Sequence, residues 1–280
     1  MTRRSITFAI VGLWLAGLAL LYRRSTSESP EQSLAAAGMR VSPATYYYRV
    51  EQAGAQVGAA SSAIDTTTTQ LTATDFLRAA IPAGQDTLRW QARSEAHFTR
   101  ALTLRDFILR VQGDAPAFLL RGVMQGEGKS RTLQITTETP KRHATTQEYE
   151  VAGLMFLPTV APMPVMLGKS HKPGVSFPVG IFDPMSRTIR NVNLKIERDS
   201  LFTVTDSASL DSATARWVSA HTDTVRGWLI SGDVPTVTAW VDESGRMIAA
   251  SEPGGISFSR TAFEMAFENL RLQSTVVRRH

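Results

Sequence analysis

From Thr45 onward one pattern recurs: short runs that alternate apolar and polar residues, each closed by glycine, proline or aspartate, at spacings of about ten residues. "TYYYRVEQAG", "AQVGAASSAIDTTTTQ", "LTATDFLRAAI", "DTLRWQARSEAHFT", "LTLRDFILRVQ", "AFLLRGVMQG" and "RTLQITTE" follow one another in this way. After Gly168 a second set runs from "GVSFPVGIFDP" to "GISFSRTAFEMAF". A period of two suits strands with one buried face and cannot be met by a helix. Leu88, Trp90, Ala92, Ser94 and Ala96 fall on one face of their run, with Arg89, Gln91, Arg93, Glu95 and His97 on the other. In "LTLRDFILRV" both faces mix apolar and charged residues, which predicts an edge or a curved strand. "WVDESGRMIAAS" predicts a hairpin turning at Glu243, Ser244 and Gly245. Thr261 to Leu272 has helical spacing at Phe263, Ala266, Phe267 and Leu270, with a strand as the alternative. The expected fold is mainly β: a curved antiparallel sheet or half-open barrel with one or two short helices, preceded by a single N-terminal transmembrane helix.

That helix is expected over 5–22, which carries no charge and includes Ile6, Phe8, Trp14, Leu18, Leu21 and Tyr22. At about 1.5 Å per residue it spans about 27 Å, enough for a bilayer core. A cleaved signal peptide is the competing reading, but "LLYRR" follows the apolar run where small residues would be needed. Arginine pairs flank both ends, and the α-amino group tips the balance toward N-inside with the bulk translocated. Residues 1–4 then form a short cytoplasmic tail, 23–44 a linker with one helical turn around Leu34 to Met39, 45–272 a β-rich extracytoplasmic domain and 273–280 a flexible tail.

"VAGLMFLPTVAPMPVMLG", Val151 to Gly168, interrupts the strand pattern. It is greasy enough for lipid, but Pro158, Pro162 and Pro164 would strip donors from a helix inside a membrane. Two readings stay open. In one, Val151 to Val160 is a short helix that ends at a proline turn and packs as core. In the other, the segment is a flap whose Met155, Phe156, Met163 and Met166 cover an apolar cavity, methionine being adaptable to variable shapes. The inner face around Trp90, Trp228 and Trp240, either filled or open, would discriminate between them.

The pieces "YYYRVEQAGAQVG", "LRWQARSEAHFTRALTLRDF", "KPGVSFPVGIFDP", "AWVDESGRMIAA" and "RTAFEMAFEN" resemble the non-catalytic region that precedes the catalytic module in bacterial membrane-anchored transglutaminase-like proteins. They are similar, more distantly, to uncharacterised periplasmic β-rich domains. The resemblance spans about Thr45 to Asn269 and implies an exported, membrane-tethered β domain at a bacterial inner membrane, with its bulk in the periplasm. It does not carry transglutaminase activity over, because that chemistry needs a cysteine and this chain has 0.

The missing thiol also removes disulfides, thiolate metal sites and a cysteine nucleophile. His97, His143, His171, His221 and His280 are scattered without ligand spacing, so no metal site is expected. "GEGKS" at Gly126 to Ser130 lacks the first glycine of a phosphate loop and suits a hairpin tip. Asp183 before Pro184 suits a turn, and nothing in the sequence brings it to Glu150 as an acid–base pair. Tyr46, Tyr47 and Tyr48 put two rings on one strand face and one on the other. The net charge of +5 rests on Arg3, Arg4, Arg23, Arg24, Arg278 and Arg279; without them 24 basic residues face 25 acidic ones. A nucleic-acid surface is therefore not expected.

These features predict a non-enzymatic domain with no cofactor and no catalytic residue. It would serve as a scaffold or accessory subunit beside a membrane protein partner, the bilayer itself being bound through the N-terminal helix. The alternative is a carrier or sensor of a lipid or other apolar ligand held in the sheet concavity, with Trp90, Trp228, Trp240 and the Val151 to Gly168 flap in contact.

Overall fold

The alternating segments pair into one sheet of 15 strands. The computed structural model describes residues 30–272 apart from 85, 115, 127–129, 141, 169, 234–237 and 253. The first half is a meander: β1 (Ala44–Gln52), β2 (Ala55–Thr66), β3 (Gln70–Ala83), β4 (Asp86–Thr99), β5 (Leu104–Gly113), β6 (Phe118–Gln125), β7 (Arg131–Thr139) and β8 (Arg142–Val151). The second half begins with the two-residue β9 (Met155–Phe156) and continues through β10 (Ser176–Asp183), β11 (Thr188–Asp211), β12 (Arg216–Ser231), β13 (Thr238–Val241), β14 (Met247–Glu252) and β15 (Ile256–Thr261). Three short helices complete the described residues: α1 (Pro30–Gly38), α2 (Met163–Met166) and the π-helix α3 (Glu264–Glu268).

Every chain-consecutive antiparallel pair lies side by side, and β1 joins β15 to weld the two halves. The free edges are β8 and β9, only three residues apart in the chain, so the sheet curls into a nearly closed barrel. Its curvature draws on bulges, where one extra residue bends a strand. One sits at Arg105: His97 pairs with Asp106 and Phe98 with Leu104. That bulge explains the mixed faces of "LTLRDFILRV". It switches the phase, so Leu104, Phe107, Leu109 and Val111 all turn inward on a strand that lies inside the sheet rather than at an edge.

The concave faces meet across the barrel, Phe107 against Phe182 with ring centroids 5.4 Å apart. The segment between β9 and β10 fills the space left at this end. Met155, Phe156, Leu157, Val160, Ala161, Met163, Val165 and Met166 are each 5% exposed or less and belong to one continuous core. The helix expected over Val151 to Val160 is not formed. Val151 ends β8, Met155 and Phe156 pair with Gly180 and Ile181, and the only helical turn, α2, begins after Pro162. Pro158 and Pro162 cannot donate to a helix, and Pro164 is tolerated because it sits in the first turn.

The stretch expected as linker folds in part. α1 buries Leu34 and Ala37, Val41 follows into the core, and Arg100 Nη2 donates to the Met39 carbonyl at 2.9 Å. At the other end α3 shows that Thr261 to Leu272 turns helical after Thr261, docking Phe263 and Phe267 on the outward Tyr47. The outer half of β11 and β12 forms an arm that leaves the barrel and is pinned to α3. Asn269 donates to the Trp217 carbonyl and accepts from its N–H. No helix among the described residues is long and apolar enough to cross a membrane. The expected anchor over 5–22, with Ile6, Phe8, Trp14, Leu18, Leu21 and Tyr22, lies outside the described residues, as do 1–4 and 273–280.

Candidate functional site

The concave face is sealed at the flap and open beyond it. Around Tyr48, Val50, Val57 and Ala60 stand Tyr46, Leu77, Ile81, Met247, Ile256 and Phe258, and these six remain only half-buried. Register explains why they gather: Tyr48 faces Ala60, which faces Leu77, while Val50 faces Phe258. Small residues at Gly58 and Ala60 leave the middle of this wall without bulk.

Between the sealed core and this open wall lies a polar layer. Ser62, Asp75 and Ser94 share one register row on β2, β3 and β4. Ser94 donates to Asp75 Oδ2 at 3.2 Å, and Thr159 of the flap donates to the same oxygen at 2.7 Å. Oδ1 is sealed from solvent and makes no hydrogen bond. Thr159 is exposed and Asp75 keeps some accessible surface, although its Oδ1 is itself sealed. Burial pushes the Asp75 carboxyl above its ordinary range, against the opposing pull of the Ser62, Thr159 and Ser94 hydroxyls and Arg246.

Across from Asp75, the β13–β14 turn supplies the cations. Asp242 Oδ1 accepts the N–H groups of Ser244 and Arg246, at 2.9 and 3.0 Å, and its Oδ2 pairs with Arg260 Nη1 at 2.9 Å. Arg260 is saturated: its remaining nitrogens donate to the carbonyls of Arg246 and Met247, and its guanidinium lies 4.0 Å over the Tyr46 ring. Tyr48 donates to the Met247 carbonyl at 3.2 Å, and burial pushes its phenol up. Gly245 makes the turn possible. It adopts φ +76, and a Cβ there would stand 2.6 Å from the Met163 backbone of the flap.

The residues singled out from the sequence separate into three places. Met155, Phe156, Met163 and Met166 come together with Trp228, but as sealed core rather than as the rim of a cavity. Trp90 stands on the concave wall, half-buried, in register with Ala79. Trp240 is on the convex face, one strand position from Val241, packed on Phe202 and Arg198. The three tryptophans therefore do not share an inner face, because Trp228 pairs with Val241 and leaves Trp240 on the opposite side. Asp183 serves a turn, accepting from Met185 and Ser186, and among the described residues no ion pair joins it to Glu150. β6 and β7, which flank "GEGKS", are antiparallel neighbours, as a hairpin requires.

Asp206, His221 and Asp223 come within 4.8 Å of one another on the arm, a set hidden from the sequence because hairpin pairing brings it together. Among the described residues these are the side chains grouped closely enough to offer a metal three donors. All three are exposed, and His221 is already hydrogen-bonded to Asp206 at 2.9 Å, which raises its affinity for a proton. A cavity of about 730 Å³ lies under the arm, bordered by Tyr46, Trp228 and Arg260 among others.

The raised Asp75 carboxyl has a measurable consequence. A native-state shift upward means that the folded chain binds this proton more tightly than the unfolded one, so its contribution is complete below about pH 4 and is lost as pH rises through the folded value. Asp75→Asn keeps an acceptor for Thr159 and removes the charge that Arg246 and Tyr48 face. Its melting temperature is expected to exceed that of the parent at pH 7–8 and to converge with it near pH 4, as followed by thermal unfolding across that range.

No protein-family model and no curated protein matches this chain. Among solved structures it is similar to a beta-barrel-like protein of the domain of unknown function DUF1849 from Brucella abortus, with TM-score 0.51 and 10% identity, over 79% of this chain and 96% of that one. A DUF1089 family protein from Pseudomonas aeruginosa overlaps more loosely, with TM-score 0.37 and 15% identity, over 70% of this chain and 90% of that one. The first likeness concerns the fold alone: a barrel-like sheet.

Proposed function

We propose that this chain is a non-enzymatic binding barrel that takes up an apolar ligand in the part of its concavity the flap leaves unfilled. The segment 5–22 would tether it to a bacterial inner membrane, with the barrel on the periplasmic side. One observation carries the reading: Tyr46, Leu77, Ile81, Met247, Ile256 and Phe258 stay half-buried on a concave face whose other end is packed to 5% exposure or less. Apolar side chains held on a preformed concave wall with a few polar groups nearby are the usual makings of a small-molecule site. The flap is the floor of that site rather than its lid, and the ligand lies beside Met163 and not under it.

The test is to purify the full chain, extract it with organic solvent and identify what is released by mass spectrometry. Leu77→Trp and Ile81→Trp serve as filled controls. An apolar molecule recovered in stoichiometric amount from the parent and lost from both variants supports the carrier role. A parent chain that yields only the background seen with the variants, and that takes up no apolar fluorescent probe, overturns it and returns the role of scaffold beside a membrane protein.

A further inference from the structure

Arg246 is the exception in the polar layer. It is 5% exposed, yet among the described residues its guanidinium makes no hydrogen bond and no ion pair. Its nitrogens are not among the sealed atoms that lack partners, so part of the group faces open space. The titratable groups around it are the phenols of Tyr46 and Tyr48 and the carboxyls of Asp242 and Asp75. None of these settles it. Asp242 is committed to Arg260, and Asp75 lies beyond ion-pair distance with Oδ1 itself unpartnered. A buried cation without a hydrogen-bonded partner is costly, and proteins retain one chiefly where something else satisfies it.

We propose that Arg246 receives the anionic head of an amphiphile whose hydrocarbon chain lies along Leu77, Ile81, Met247 and Phe258. The inference rests on the apolar-site reading above and names its ligand class: one carboxylate or phosphate on an apolar tail. The guanidinium fork matches either oxyanion with two parallel donors, which an ammonium could not do. Arg260 cannot substitute, because every nitrogen it has is engaged. The polar layer is also placed where a head would need it, with the half-buried apolar wall beginning at Tyr46 and Leu77 immediately beside it.

The experiment measures displacement of an apolar fluorescent probe from the full chain, held in a detergent-free amphipathic polymer, by oleate, oleoyl lysophosphatidic acid and uncharged oleyl alcohol. The parent is expected to bind the anionic ligands at least tenfold more tightly than the alcohol, and whichever anion is tighter identifies the head as carboxylate or phosphate. Arg246→Met should reduce the anions to the affinity of the alcohol while leaving the alcohol unchanged, and Arg246→Lys should restore part of the difference. Equal affinities for all three in the parent, or an equal loss of all three in a folded Arg246→Met, overturn the role of Arg246 and leave the apolar site standing. Failure of the parent to bind any of the three overturns both.

Discussion

Asp242→Ala is expected to destabilise the fold by about 3–5 kcal/mol, because it strands a buried arginine without its counter-charge. The Asp242 and Arg260 side chains are 9% and 7% exposed, and the pair closes at 2.9 Å. The same substitution removes the acceptor for the Ser244 and Arg246 N–H groups, so the turn that presses Gly245 against the flap loses its brace. The loss should appear in urea titrations as a lower midpoint with an unchanged slope. Asp242→Ala combined with Arg260→Met should recover much of it, since a well-packed apolar replacement of a buried ion pair is often close to neutral. A double variant no more stable than Asp242→Ala would show that the turn hydrogen bonds, and not the charge pair, carry the effect.

Phe156→Ala is expected to cost about 3–5 kcal/mol through the cavity it leaves. Phe156 is 1% exposed and stacks on Phe98 with centroids 6.3 Å apart, and it is one of only two residues in β9. Removing the ring takes away what anchors the flap, so amide exchange over 152–167 should accelerate along with the fall in stability. Met155→Leu conserves volume at the neighbouring sealed position and should cost less than about 1.5 kcal/mol. An equal loss in the two variants would mean that the strand pairing of β9, and not its packing, holds the segment.

The strand pattern was legible because it is local. Alternation in "DTLRWQARSEAHFT" names the inward face of β4 correctly from Leu88 to Ala96, and the hairpin at Glu243 to Gly245 is where "WVDESGRM" puts it. The bulge at Arg105 was not legible, since a single extra residue alters the pattern no more than an edge strand would. The flap defeated periodicity for a related reason. Met155 to Met166 is apolar on every side because, apart from Pro158 and Thr159, it is enclosed, and the prolines leave strand, turn and helix as local options that only the surrounding barrel decides. Trp240 was placed inward because hydrophobicity was the only guide, whereas its ring packs on Phe202 and under Arg198 on the convex face. The site itself was the least visible. Asp75, Arg246 and Arg260 are far apart in the chain and lie in no motif, and only sheet register and one turn bring them to the same layer.

The order of strands also sets the order of events in folding. Neighbours in the sheet are neighbours in the chain, with one exception: β1 pairs with β15, bringing Tyr47 opposite Thr261. Each meander can therefore zip up by short loops, whereas the weld between them must close most of the polypeptide at once, the slow kind of step in a β protein. Until it closes, β1 and β15 each expose a long, partly apolar edge of unpaired amides, the template on which chains aggregate. A chain truncated before β15 would keep that edge open for good, so a strand made late in synthesis is the one that protects the first.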